Sequence, residues 1–325
     1  MTPVFRIVID GRNDITELVR DRFLSLSVTD EAGRQSDSAE LRLDDRDGAI
    51  ELPPKGAKMT VSLGYEGREE TVTGTYVVDE FELSGPPMAV AIRAKGADMR
   101  AELKAQKTRS WGEVTLGDLA RRIAADHGLK ARVGSALRAV RIPHLDQAEE
   151  SDLNLLTRLA RDHDAVAKQS GDYLLLVPRG ETASATGKPM PAIDVRPGDA
   201  SRWRVTLADR EAYSSAEARW HDPETGKGKV ETVGSGDPKW TIRRAYPSAS
   251  EAAEAARAKL AQLARGAALL VIDLSPGNPV VAAEAELRLA GFRDDVDGSW
   301  ACQRAVHRLD RRGFSTAVEA TVKAG

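Results

Sequence analysis

The sequence predicts a mainly β fold with an α+β middle, in which two antiparallel β-barrel-like domains flank a small mixed domain. Three observations carry this prediction. Apolar and polar residues alternate with a period of two over the first hundred residues, helical spacing takes over in the next eighty, and alternation then returns. The expected boundaries are 1–104 for the first β domain, 105–186 for the mixed domain and 187–325 for the second β domain, with a helical insertion near 248–266. A chain of 325 residues is long enough for two or three domains of this size, each burying its own core.

In the first domain Val4, Arg6 and Val8 alternate with Phe5, Ile7 and Ile9 before the turn pair Asp10-Gly11. Leu24, Leu26 and Val28 alternate with Ser25, Ser27 and Thr29, and Ala39, Leu41 and Leu43 repeat the pattern. So do Met59, Val61, Leu63 and Tyr65. Thr71–Leu83 is a long β-rich run, and Met88, Val90 and Ile92 give a further strand. Pro53-Pro54, Gly64, Gly67 and Gly85-Pro86-Pro87 punctuate these strands. In the mixed domain, Thr115 to Asp118 reads as a capping box, and Leu116, Leu119, Ala120 and Ile123 share a helical face that stops at His127-Gly128. A second helix is expected over about 149–163, then a hairpin from Val166 to Val177. Residues 180–191, rich in Gly, Ser, Thr and Pro, read as a linker. In the last domain the expected strands are Trp203–Leu207, Tyr213–His221, one through Val230 and Val233, Trp240–Tyr246, Ala267–Leu274, Val280–Phe292, Trp300–His307 and Phe314–Val322. An Ala-rich helix, capped by Ser248 and Glu251 and ended by Arg265-Gly266, sits among them.

Composition excludes several functions. Formal net charge is −3, with no general pull toward nucleic acid or anionic membrane. Residues 1–105 carry 20 acidic and 14 basic side chains and the remainder 30 and 33, so the ends differ in sign. One cysteine, Cys302, rules out an internal disulfide and reads as a small buried hydrophobe. The start is too short and too charged for a signal peptide, and no apolar run approaches the roughly 20 residues of a membrane helix.

A search for chemistry returns little. His127, His144, His163, His221 and His307 show no zinc-ligand spacing, and no nucleophile elbow, phosphate loop or dinucleotide fingerprint occurs. Asp162-His163-Asp164 has the residue types of a metal or acid–base cluster, but at a helix end it reads as a solvated group near the C-terminal dipole. His307 reads as a hydrogen-bonded core or interface residue. Glu149 and Glu150 are sequence neighbours on an expected helix and point apart, so they cannot flank one glycosidic bond. The five tryptophans are scattered as core or interface anchors. No catalytic residue, cofactor or metal is expected.

The most informative stretch is Gln147 to Ala160. Ser151 or Asp152 can satisfy donors at a helix start, Gln147 and Glu150 can lock the entry loop, and Arg158 can pair with a carboxylate. Leu153, Leu156, Leu159 and Ala160 share the face that would pin the helix to a sheet. Gln147-x-x-Glu150-Ser151-Asp152, followed by apolar residues and Arg158-Leu159, resembles the signature of phage late control protein D and the related VgrG hubs. The resemblance spans the chain: Asp10–Thr16, Leu24–Glu31, Ser36-Asp37 with Leu41 and Leu43, Gly85–Pro87, Ser110–Leu116, Gly291-Phe292, Gly298–Trp300, Val306-His307 and Gly313–Thr316 fit it. Leu155 stands where many relatives have Phe, a swap that keeps apolar bulk.

This resemblance implies a structural baseplate hub of a contractile phage tail or tailocin-like particle, a homotrimer whose paired β domains make a pseudo-sixfold ring between tail tube and spike. It implies tube, spike and other baseplate proteins as partners, the virion tail as location after assembly in the host cytoplasm, and a structural or interface role for the signature. VgrG proteins continue into a spike, whereas this sequence stops at Gly325, so a separate spike protein is expected. The rival readings are a cell-wall hydrolase of the particle and a receptor- or glycan-binding tail module.

Overall fold

The structure is a computed structural model that describes residues 1–32, 37–96, 101–170, 172–179, 190, 192–207, 213–266 and 268–322. Ser36, Ala267 and all of the expected linker 180–191 except Met190 lie outside the described residues. The chain forms two compact units, one of 1–100, 191–204 and 270–320, the other of 101–190, 205–269 and 321–325.

The first unit is built on one continuous sheet. Pro3–Ile9, Lys58–Tyr65, Thr71–Ser84, Ala89–Gly96, Ser38–Asp44 and Phe23–Glu31 lie side by side in that order, each antiparallel to the next. The period-two patterning explains the pairing. Leu26, Val28, Leu41, Leu43, Met59, Val61, Leu63 and Ile92 face one core at 4% exposure or less, while Ser25, Ser27 and Thr29 lie half-buried on the other face. Each such side chain contributes about 1.5–3 kcal/mol when fully buried.

Phe23–Glu31 also pairs antiparallel with Gly298–Asp310, with His307 opposite Val28 and Leu309 opposite Leu26. From there the sheet continues through Gly313–Val322 and Ala268–Leu274 to Ala200–Leu207. Strands from both β-rich ends of the chain therefore share one ladder, and Leu309 and Phe314 complete the N-terminal core. Pairing satisfies two edges that would otherwise stand open. Ile193–Val195 adds a parallel pair with Glu286–Leu289. The expected strand Val280–Phe292 is realised only at Glu286–Leu289. Before it the chain turns, with Val281 N–H bonded to Asn278 O, Ala285 N–H to Ala282 O, and Glu284 at φ 68°. The alanines there supply little β preference to oppose the turns.

In the second unit, helices Leu116–Asp126 and Asp152–Asp162 pack on a sheet of Ala165–Ser170, Tyr173–Pro178 and Lys130–Val133. A separate two-stranded ribbon joins Gln106–Thr115 to Arg141–Ser151. Sequence periodicity had not separated either ribbon strand from the helices, and the second helix starts at Asp152 rather than near 149. The ladder with Gln106–Arg109 holds the chain extended through Ser151 and thereby delays the helix. The other part of this unit is the sheet Lys227–Gly234, Ser215–Asp222 and Lys239–Tyr246, covered by helix Ala249–Gly266. Ala252, Ala255 and Ala256 meet Ala216, Ala218 and Tyr246, so small side chains let helix and sheet approach closely. Ser248 caps this helix, accepting from Glu251 N–H at 3.3 Å and donating to its carboxylate at 3.1 Å.

Candidate functional site

The signature lies where the ribbon turns into the helix Asp152–Asp162. Ladder register shifts between Gln147 and Glu150, and Glu149 takes φ 48° with its N–H on Thr108 Oγ1 at 3.2 Å. This bulge aims Gln147 inward. Ser151 then caps the helix, its hydroxyl accepting from Asn154 N–H at 3.2 Å. That leaves Asp152 free of capping duty.

Asp152 is fully buried and is the centre of a network. Its Oδ1 accepts from Arg109 Nη2 at 2.5 Å and Gln147 Nε2 at 2.9 Å, and its Oδ2 from Lys107 Nζ at 2.6 Å and His127 Nε2 at 2.8 Å. Gln147, also fully buried, uses its whole amide: Oε1 accepts from Arg109 Nε at 2.9 Å and Trp111 Nε1 at 3.3 Å, and Nε2 donates to Glu150 O at 2.8 Å as well as to Asp152. Arg109 continues to Asp126 at 2.9 Å and lies 4.4 Å from the Trp111 ring centroid. Burial alone raises the Asp152 pKa, but the bonds from His127, Lys107 and Gln147 and the charge of Arg109 outweigh it and hold the carboxylate at about 2.

Arg158 and Glu150 form a second clamp beside the first. The guanidinium donates to both carboxylate oxygens, at 3.1 and 2.7 Å, and to Asp146 O at 3.4 Å. Leu156 and Leu159, with Leu155, are buried in the core of the mixed fold. The structure thus brings Gln147, Glu150, Ser151, Asp152, Leu156, Arg158 and Leu159 into one corner, in two ion clamps over an apolar floor.

Lys107, Arg109 and His127 were not visible as members of this site from sequence. They lie 25 to 45 positions from Asp152 and form no local motif. His127, read as a helix stop, is indeed the C-terminal cap of Leu116–Asp126, and it is also 96% buried against Asp152. Asp162-His163-Asp164 requires a correction. Rather than facing solvent, all three residues take partners on the segment 213–266: Asp162 with Arg244 at 2.8 Å, His163 with Glu254 at 3.3 Å, and Asp164 with both nitrogens of the buried Arg265 fork. Packing of that segment onto the helix end supplies cations that no local spacing could announce.

Chemically the site is a closed clamp. All four acceptor positions on Asp152 are occupied, and the hydroxyl oxygen of Ser151 accepts the helix-cap bond. Among the described residues no group of three or more His, Cys, Asp or Glu is placed to hold a metal ion. Among them also, no helix is long and apolar enough to cross a membrane.

Residues 36–312 match the model of the phage tail baseplate hub (GPD) family. The chain belongs to that family. The "Probable baseplate hub protein" of Escherichia phage 186 is 32% identical over 365 aligned residues, covering 99% of this chain and 94% of that protein. Among solved structures, the 43 kDa tail protein of prophage MuSo2 from Shewanella oneidensis shares the fold with a TM-score of 0.73 at 14% identity, covering 98% of both chains. An E. coli component of the type VI secretion system, itself described as similar to the T4 tail proteins gp27 and gp5, shares it with a TM-score of 0.57 at 10% identity over 93% of this chain and 74% of that one. The protein is a structural hub of a phage tail baseplate, and its fold is mainly β.

Proposed function

We propose that this baseplate hub works as a homotrimeric ring that joins a tail tube to a separate central spike in a contractile particle, and that it performs no covalent chemistry. Two β-rich regions per chain, 1–104 and 187–325, would give six in a trimer, a geometry that can meet a sixfold tube on one side and a threefold spike on the other. The observation that carries this reading is the continuous ladder between Phe23–Glu31 and Gly298–Asp310, which joins strands from the two ends of the chain in one sheet. In this reading the signature residues Gln147, Glu150, Ser151, Asp152, Leu156, Arg158 and Leu159 fix the shape of the mixed region 105–186 and serve a structural or interface role. Assembly takes place in the host cytoplasm, and the product is part of the tail.

Light scattering on the purified chain, alone and with its candidate spike, tests the proposal. A mass of three times 35.1 kDa, alone or once the spike is added, is the expected result. A chain that stays monomeric with spike and tube proteins overturns it. Release of fragments from purified peptidoglycan, abolished by changing one acid of the chain, would overturn the non-enzymatic part separately.

A further inference from the structure

The sheet of the first unit presents two open strand segments of opposite charge, one at an end of the strand order and one on the second half of an interior strand. At one, Ala200–Leu207 closes the strand order and has Ala268–Leu274 as its sole sheet neighbour among the described residues. Side chains on both of its faces are exposed, Arg202 and Arg204 among them, and Arg202 pairs with Asp273 at 3.3 Å. Trp203, 38% exposed, is held edge-on against Phe292 with ring centroids 5.4 Å apart. Rigid Trp flanked by Arg is the composition of an interface anchor.

The other edge lies on the long strand Thr71–Ser84. Its first half has neighbours on both sides, but the ladder to Lys58–Tyr65 stops at Val77, and Gly56 and Ala57 take the backbone of Val78. From Glu80 to Ser84 the strand pairs only with Ala89–Arg93 among the described residues. Asp79, Glu80, Glu82 and Leu83 are exposed there. Negative charge is in excess: Arg93 serves Glu40, Glu80 and Glu82, and Lys95 serves Asp79 at 2.6 Å, so two cations face four carboxylates. Neither segment carries a proline; the ladder of the acidic one shifts register between Val78 and Glu80 and runs regularly from Glu80 to Ser84, so that charge rather than proline governs which strand can add.

We infer that these edges are partners: the basic edge Ala200–Leu207 of one copy adds to the acidic edge Asp79–Ser84 of the next. The contact is heterologous, with different surfaces on each side, and contacts of that kind repeat around a ring when the rotation closes. Main-chain ladder bonds give the adhesion, and Arg202 and Arg204 against Asp79, Glu80 and Glu82 set the register and reject like-with-like pairing. This inference rests on the trimer proposed above and names the surface that forms it.

The experiment compares solution mass across three full-length variants at 0.15 M salt. Reversing the basic edge (Arg202→Glu with Arg204→Glu) is expected to weaken association about tenfold or more. Reversing the acidic edge (Glu80→Lys with Glu82→Lys) has the same expected effect, and the combined four-site variant, with the charges exchanged, regains the trimer. Circular dichroism and melting check that each chain folds. Because Glu80 and Glu82 also hold Arg93, the Arg202/Arg204 variant is decisive if the acidic-edge variants fail to fold. A wild-type trimer whose mass and dissociation midpoint ignore that variant overturns the edge pairing and leaves the trimer standing. A wild type that never associates overturns both.

Discussion

Replacing Asp152 by Asn tests the clamp with one atom pair changed. The side chain keeps its size, but one oxygen that accepted two charged or imidazole donors becomes an amide that donates. Two sources give the magnitude. The carboxylate sits at about 2 in the fold against an ordinary 3.8, which is worth about 2 kcal/mol of stability at neutral pH. Removing one member of a buried ion pair typically costs 3–5 kcal/mol, and the cost here is at the lower end because Lys107 and Arg109, 31% and 28% exposed, can partly turn to water. Asp152→Asn should therefore lower the unfolding free energy by about 2–4 kcal/mol at pH 7. The sign with pH is fixed. A depressed carboxylate contributes fully above its unfolded pKa and loses that contribution as pH falls from about 5 through 3.8 toward 2. Wild type and variant should thus converge across that window. Urea denaturation followed by tryptophan fluorescence, which includes Trp111 beside Gln147, is the assay. A difference under about 0.5 kcal/mol at pH 7, or one that stays constant from pH 5 to 2, would refute the clamp.

Three further outcomes are expected. His307 is buried, with Nδ1 at 3.0 Å from Thr316 Oγ1 and Nε2 at 3.0 Å from Val281 O, and burial lowers its pKa below 6.5; the unfolded chain then takes the proton first, so stability should decline as pH drops below about 6.5, and His307→Gln should flatten that slope in melting curves taken from pH 8 to 5. A methyl on Gly117 would lie 2.8 Å from Arg138 O, a backbone atom with little room to yield, so Gly117→Ala should cost about 1–3 kcal/mol in chemical denaturation despite its better helix propensity. Cys302 is fully buried and its thiol is pushed far above the ordinary range by desolvation, so a thiol reagent at pH 8 should label it at the rate of unfolding, and labelling within seconds in native buffer would contradict the packing.

What the sequence discloses follows the range of the interaction involved. Strand identity in the first hundred residues was readable because one buried face imposes a period of two, as Leu26 and Val28 or Met59, Val61 and Leu63 display. Helix caps at Thr115 and Ser248 were readable because cap and partner lie three residues apart. The ribbon strands Gln106–Thr115 and Arg141–Ser151 were not. Lys107, Arg109 and Gln147 alternate with other polar residues, so their burial leaves no hydrophobic trace. Trp203–Leu207 is expected as a strand and the structure extends it back to Ala200, but its place at the edge of the sheet depends on which partners come from about 70 residues away.

The signature illustrates the same limit at the scale of a site. Its seven residues span 13 positions and were sufficient to point to the family, yet their chemistry is closed by three residues outside that span. Asp152 read alone is a helix-cap candidate, because Asp at a helix start usually is. Only the bulge at Glu149 and the presence of Ser151 one residue earlier free its carboxylate to turn inward. A buried charge of this kind demands partners or it unfolds its surroundings. Lys107, Arg109 and His127 meet that demand from a strand and a helix end that are distant in sequence. The motif therefore marks a joint between three elements. The physical consequence is that slipping the ribbon against either helix must first break a fully desolvated carboxylate from four donors at once.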